Sequence, residues 1–381
     1  MLTDIKSLNR DELETLFNDW SEPAFRVNQL LDWLYARRAT TWDSMSNLSK
    51  PLREKLRSQF SLNSLVLTRK QGARDTTQKF LWKLADGAFI ESVLIPANPA
   101  LYGEASDRHT LCISTQVGCA YGCRFCASGL DGWKRNLGVH EIMDQILATE
   151  RWHAAQPKEE SLEPAANRVV NNIVVMGMGE PLANYENLLK ALKILNAPWG
   201  GGIGARKITV STSGLAPQIR QLAKEPLQFR LAISLHGATD EVRNRIMPVN
   251  KKYPLTELAA ACDDYQRVKG RMITLEYILI AGINDSMDQI KPLATLAKRL
   301  NAKVNLIPYN TVEGLPWERP SEPACEAFHA ALEKLNITAT LRREKGGDID
   351  AACGQLRLKT ERELATGVPS NQLTDLPPTA R

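Results

Sequence analysis

From Thr110 onward, short apolar runs of strand length alternate with longer amphipathic stretches, and few folds accommodate that pattern. The runs are "TLCIST", "NNIVVMG", "KITVSTS", "FRLAISL", "MITLEYILI", "KVNLIPY" and "ITATLR". Between them lie "VHEIMDQILATERWHA", "NYENLLKALKIL", "APQIRQLA", "DEVRNRIM" with "LTELAAACDDYQRV", "MDQIKPLATLAKRL" and "EPACEAFHAALEKL", each with apolar residues at helical spacing. Strands that alternate with helices pair in parallel, because each crossover helix carries the chain back to begin the next strand in the same direction. About six or seven such units are visible, short of the eight in a closed barrel. The expectation is an α/β fold, an open or partial β/α barrel whose chemistry sits at the C-terminal strand ends.

The chain ahead of this pattern reads differently. "DELETLFNDW", "RVNQLLDWLYARR" and "SKPLREKLRSQF" have helical spacing, and "LVLTRK", "KFLWKL" and "AFIESVLI" have strand character. This predicts a small accessory domain with a β extension over about residues 1–95 and the barrel over 96–356. "ANPALYGEASDRH" and "AAQPKEESLEPAANR" read as loops, and the Pro-rich polar end, 366–381, as a disordered tail. No apolar run approaches membrane-span length, and the N-terminus is too polar for a signal peptide, so a soluble cytoplasmic protein is expected. In that reducing setting seven cysteines point to metal or catalytic use rather than a disulfide framework. A net charge of +5 is compatible with a nucleic-acid partner without requiring one.

Three of those cysteines, Cys119, Cys123 and Cys126, crowd into "GCAYGCRFCAS". A structural zinc site wants a fourth ligand, and the nearest downstream histidine, His140, opens a helix pattern instead of a knuckle. An iron–sulfur cubane usually takes four thiolates; with three, one iron stays open to a small molecule. The Gly-rich "GMGEPLAN", with Gly179 and Glu180, follows the strand run "NNIVVM" and suits close backbone approach to a ligand. Ser211, the run Ser234-Leu235-His236, and Asn310 fall at or just past strand ends, on one expected rim.

A CxxxCxxC loop after the first barrel strand resembles the radical-SAM superfamily. The resemblance implies a 4Fe-4S cluster on Cys119, Cys123 and Cys126, with S-adenosylmethionine on the open iron. Gly179 and Glu180 would engage the methionine end of that cofactor, with Ser211, Ser234, Leu235, His236 and Asn310 completing its site. The motifs "GCAYGCRFCASG", "KRNL", "VVMGMGEPLANYENL", "STSGL", "LAISLHGATDEVRNRIMPVNKKYPL", "EYILIAGINDS" and "DIDAACGQL" narrow the likeness to the RlmN/Cfr family of RNA adenosine methyltransferases, over about residues 88–356. "GMGEPL", with Pro181, looks more like the RlmN branch.

Membership of that kind would give two distant cysteines a role. Cys353, in a glycine-flanked segment, would accept a methyl group from one S-adenosylmethionine, and a second would supply a 5′-deoxyadenosyl radical, two cofactors per turnover. The activated methyl would add to adenine C2, Glu91 would accept the C2 proton, and Cys112 would release the product through a transient disulfide with Cys353. A radical route is physically apt, because C2 of adenine is a poor nucleophile for direct methyl transfer. The substrate implied is an adenosine of 23S rRNA, extending to a tRNA adenosine beside the anticodon, with C8 methylation of the Cfr type as the alternative. Partners would be RNA, with residues 1–95 in the position of the family's accessory RNA-binding domain, and an electron donor such as a flavodoxin, with a monomer as the default. The base would have to be extruded to be reached. Trp133, Lys134 and Arg135 after the cluster loop, and Arg342, Arg343 and Lys345 before Cys353, are the basic candidates for RNA contact. Cys262 and Cys325, in helix patterns, read as structural.

Overall fold

The computed structural model describes residues 2–73, 76–97, 108–156, 168–342 and 354–366. Ten strands form one sheet in the order β1-β2-β3-β4-β7-β8-β9-β10-β11-β12. The first four are β1 (Val66–Gly72), β2 (Gln78–Lys83), β3 (Phe89–Pro96) and β4 (His109–Cys112). Beyond them come β7 (Asn172–Val175), β8 (Ile208–Thr212), β9 (Arg230–Ser234), β10 (Thr274–Leu279), β11 (Lys303–Pro308) and β12 (Ala339–Leu341). Pairing is antiparallel from β1 to β4 and parallel from β4 to β12. The parallel run is the expected partial barrel. Each of its strands divides its side chains by the two-residue period. Val210, Ile233, Leu275 and Leu306 are buried in the core. Their neighbours Ser211, Ser234, Glu276 and Asn305 line a cavity inside the barrel.

The helices fall where the spacing placed them. They include α1 (Arg10–Asp19), α2 (Phe25–Leu31), α3 (Lys50–Gln59) and α4 (Val139–Ala154). Asn9 and Glu12 cap α1 reciprocally: the Asn9 side chain accepts the Glu12 N–H at 2.9 Å, and the Glu12 carboxylate accepts the Asn9 N–H at 2.7 Å. The single helix predicted over 26–38 is α2 running into one wide π turn at Asp32–Ala36. The segments flanking these N-terminal helices tie them to the barrel through buried charge. Lys6 reaches within 3.6 Å of Asp144 on α4, whose carboxylate also accepts the Leu65 N–H at 2.6 Å. The β extension is continuous with the barrel, since Val93 of β3 sits opposite Cys112 of β4.

Two elements have no counterpart in the sequence reading. A ribbon of β5 (Gln116–Gly118) and β6 (Trp133–Asn136) brackets the cysteine loop, and α11 (Gln355–Ala365) follows the Cys353 segment. Strand β5 is too short to show a period. In α11 only Leu356 and Leu358 are buried apolar residues, too few for a helical stripe. Among the described residues, no helix is long and apolar enough to cross a membrane.

Candidate active site

A cavity of about 1110 Å³ runs through the barrel. Cys119, Cys123 and Cys126 line one end. The loop that carries them is held by backbone bonds: Cys119 N–H to Gly132 O at 3.1 Å, Cys126 N–H to Cys123 O at 3.1 Å, and Arg124 N–H to Ile246 O at 2.9 Å. Burial pushes the Cys119 thiol up to about 11, with Cys126 and Glu180 adding to it. Burial also lifts Cys123 well above its ordinary value, and the two neighbouring cysteines push the same way. Each thiol thus opposes ionisation of the next, an arrangement that bonding to a cationic centre would relieve. Among the described residues, no three His, Cys, Asp or Glu side chains gather around a single metal ion. A cubane asks for less, since each thiolate binds a different iron. His140 is directed elsewhere, with Nδ1 3.2 Å from Ser7 Oγ.

The turn after β7 lies against the start of the cysteine ribbon. Thr115 N–H and Gln116 N–H both reach Met178 O, at 2.8 and 3.2 Å. Gly179 has φ +98°, and a Cβ there would fall 2.5 Å from Gln116 Cβ, so only glycine fits. Glu180 is buried, and its carboxylate accepts N–H groups from Leu182 at 3.0 Å and Ser213 at 2.7 Å. It ties the turn to the end of β8, and burial raises its pKa.

Around the same rim, Ser211 Oγ lies 3.3 Å from Ser234 Oγ. Leu235 does not line the cavity: its side chain is fully buried, its N–H reaches Glu276 O at 2.9 Å and its carbonyl accepts Arg243 Nε at 3.1 Å. His236 has a left-handed backbone, φ 54°. Its Nδ1 accepts the Ile278 N–H at 3.1 Å, and burial, helped by Arg243, lowers its pKa to about 3. The ring is therefore neutral with its proton on Nε2. Asn310 lines the cavity with a buried Oδ1 that has no hydrogen-bond partner. An orphaned acceptor at this rim fits a ligand that brings donors, as the amino groups of S-adenosylmethionine do. With three thiols at one end and this acceptor on the rim, the residues fit a 4Fe-4S cluster and S-adenosylmethionine.

Cys112, on β4, opens onto the same cavity. Glu91, on β3, is 3% exposed and is fully engaged: Lys79 Nζ stands 3.0 Å from its Oε2, and the N–H groups of Gly354 and Arg357 donate to its two oxygens at 2.7 Å each. Cys353 lies outside the described residues, as do Arg343 and Lys345. Its successor Gly354, with φ +87°, is packed so closely on Ser128 that a Cβ would come within 2.8 Å of Ser128 N and Oγ. Glu91 thus holds the first turn of α11 two residues past Cys126.

Several structural roles are not visible in the sequence. Lys79, Glu276 and Asn305 carry no motif, although a glutamate inside the buried strand "TLEYIL" is itself a signal. Arg135, a candidate for RNA contact, is instead committed to the fold. Its guanidinium bonds Asp86 at 2.7 Å and clasps Glu141 at 2.7 and 2.8 Å, fixing the ribbon to α4. Lys134 is 3.7 Å from Glu361 of α11, and Trp133 is exposed. Cys262 and Cys325 are buried in helices, as expected.

Known proteins place this architecture. Residues 3–62 match the ribosomal RNA large subunit methyltransferase N-terminal domain, and residues 113–291 match the radical SAM superfamily. A protein of Opitutus terrae named probable dual-specificity RNA methyltransferase RlmN 3 is 56% identical, over 93% of this chain and 95% of its own. A similarly named RlmN of Akkermansia muciniphila is 52% identical over 94% and 96%. The crystal structure of a radical SAM methyltransferase from Sphaerobacter thermophilus superposes with a TM-score of 0.83 at 41% identity, covering 93% of this chain and 98% of that one. These relatives match the chain over nearly its full length, and the chain belongs to the RlmN family of radical SAM methyltransferases.

Proposed function

We propose that this enzyme methylates C2 of an adenosine in 23S rRNA, and of an adenosine beside the anticodon in tRNA, through an S-methylcysteine on Cys353. The grip of Glu91 on Gly354 carries the reading. It holds the residue after Cys353 against Ser128, beside the cysteine loop, while Cys112 lines the same cavity. Cys119, Cys123 and Cys126 would hold the cluster, with Gly179, Glu180, Ser211, Ser234, Leu235, His236 and Asn310 around the cofactor. Bound there, S-adenosylmethionine supplies the methyl group and, from a second molecule, a 5′-deoxyadenosyl radical.

The chain's own residues then divide the work. The Cys353 thiolate takes the methyl group by displacement from sulfonium. Once that methyl has lost a hydrogen atom, the carbon still tethered to Cys353 adds to C2. Glu91 receives the C2 proton, which requires it to release an amide it now holds. Once the adduct has passed its unpaired electron back to the electron-transfer chain, the Cys112 thiolate attacks the sulfur of Cys353; the sulfur–carbon bond breaks, the released carbon takes up a proton to become the methyl of the product, and a thiol reductant reopens the disulfide left behind. Electrons come from a donor of the flavodoxin kind, and the enzyme acts as a monomer in the cytoplasm.

The other end of the cavity supports an RNA substrate. Arg206, Lys207, Arg230, Arg271 and Lys303 line it. All stand at the N-terminal ends of β8 to β11, so parallel pairing gathers them on one rim. Phosphates flanking an extruded adenosine would meet this rim while the base enters the barrel. The test is Cys353→Ala in reconstituted enzyme. RNA methylation should vanish while iron and sulfide content stays normal. Turnover by the variant would overturn the S-methylcysteine route, and 8-methyladenosine as sole product of the wild type would overturn the C2 assignment.

A further inference from the structure

Midway along the barrel cavity a polar row crosses three adjacent parallel strands. Ser234 of β9 is in register with Glu276 of β10, which is in register with Asn305 of β11, and all three line the cavity. Glu276 is the unusual member. It is 5% exposed, in the middle of a strand flanked by the fully buried Leu275 and Tyr277. Asn305 Nδ2 donates to its Oε1 at 3.0 Å, whereas its Oε2 is buried with no hydrogen-bond partner. A carboxyl oxygen left so in a lined cavity is costly unless a ligand completes it. Ser234, a cofactor-site candidate, is level with Glu276, while His236 bonds Ile278 two residues further along β10; the basic rim lies at the other strand end. Glu276 therefore stands at the inner edge of the expected cofactor site, on the side facing the basic rim, where an extruded base would meet the cofactor.

We propose that Glu276, oriented by Asn305, reads the N1/N6 edge of the substrate adenine and so determines which carbon is presented to Cys353. Adenine offers there an acceptor, N1, beside a donor, N6–H. A neutral carboxyl matches both, donating O–H from Oε2 to N1 and accepting N6–H on the second lone pair of Oε1. Burial raises the pKa of Glu276, against the opposing pull of Arg342, the Asn305 hydrogen bond and Lys303, a shift in the direction of the neutral form. C2 adjoins N1 on the same edge, so a residue that grips N1 and N6 fixes C2 at the end of the grip. Uracil presents the reverse pair, an N3–H donor beside the O4 acceptor, and leaves Oε2 unmatched in this pose; cytosine presents the same pair as adenine, N3 beside N4–H, but on a single ring. This inference rests on the adenine reading given above; it adds the residue that orients the base.

The test pairs variants with base analogues in a short RNA carrying one target nucleoside, using reconstituted holoenzyme and nucleoside mass spectrometry. Glutamine presents the same donor and acceptor, so Glu276→Gln should keep kcat/KM for adenosine within a few-fold. Glu276→Ala should lose on the order of 10- to 100-fold, the worth of a bidentate base contact. Wild type should discriminate by a similar factor against 1-deazaadenosine and purine riboside, and Glu276→Ala should no longer do so. Iron content and methylation of Cys353 in each variant serve as folding controls. A Gln variant as impaired as Ala, or an Ala variant that still discriminates against both analogues, would overturn the role of Glu276 even if the wild type makes 2-methyladenosine. Wild-type methylation of a base other than adenine would overturn the substrate reading and this inference together.

Discussion

His236 shows how one residue can be fixed by burial rather than by its own chemistry. Its Nδ1 is taken by the Ile278 N–H, the Phe125 ring meets it edge-on at 5.0 Å between centroids, and burial lowers its pKa from 6.5 to about 3. The folded chain then refuses a proton that the unfolded chain binds below pH 6.5. Stability is fully present above that pH and declines as pH falls toward about 3, because the unfolded state holds more protons across the window. Between pH 6.5 and about 5 the loss attributable to this ring is about 2 kcal/mol. Asparagine tolerates the left-handed backbone and does not titrate. His236→Asn should therefore flatten the acid side of the stability profile by that amount, measured as urea midpoints of anaerobic protein at several pH values. An unchanged slope would show that His236 is protonated in the folded state. The histidine is legible in the sequence as a residue at a strand end. Its neutrality is not, because that depends on Phe125 and Arg243, each from a separate segment.

At the scale of elements, α11 is held by charge more than by apolar contact. Glu91 accepts two amides of its first turn, a favourable place for a carboxylate. Arg357 of the same turn is fully buried and bonds Glu361 at 2.7 Å and Asp131 at 3.1 Å. The Lys79–Glu91 pair beneath is 0% and 3% exposed. Removing one partner of such a pair leaves the other charge buried, at a cost of about 3–5 kcal/mol. Lys79→Met should lose stability of that order and speed hydrogen exchange at the Gly354 and Arg357 amides. Adding Glu91→Gln should recover part of the stability, since the orphan charge is gone. A double variant no more stable than Lys79→Met would refute the account. The sequence discloses Glu91 as a carboxylate on a strand, but its partners are 12 residues upstream and over 260 downstream, beyond any local pattern.

Across the whole molecule, the barrel sets two unlike rims at opposite ends of one cavity, thiols at one and basic side chains at the other. Arg206, Lys207 and Arg230 on the basic rim are exposed. Phosphate contacts give RNA affinity its salt dependence, with each contact adding somewhat less than one to the slope of log K against log salt. Arg206→Glu with Arg230→Glu should weaken RNA binding and reduce that slope by about one to two, measured by fluorescence anisotropy over a salt series. Cluster content and Cys353 methylation should be unaffected. An unchanged slope would place the RNA elsewhere on the surface.

By itself the sequence determined the partial barrel, because period and run length report which way each side chain faces and how long each element is. It also determined the three-cysteine loop and the glycine-rich turn, since their ligands are neighbours along the chain. Tertiary structure alone decided that Arg135 serves the fold, that Glu91 clamps α11, and that Ser234, Glu276 and Asn305 form one row. The row follows from register between strands dozens of residues apart, which packing of the whole sheet sets, and the other two from side chains that meet only when separate elements pack together.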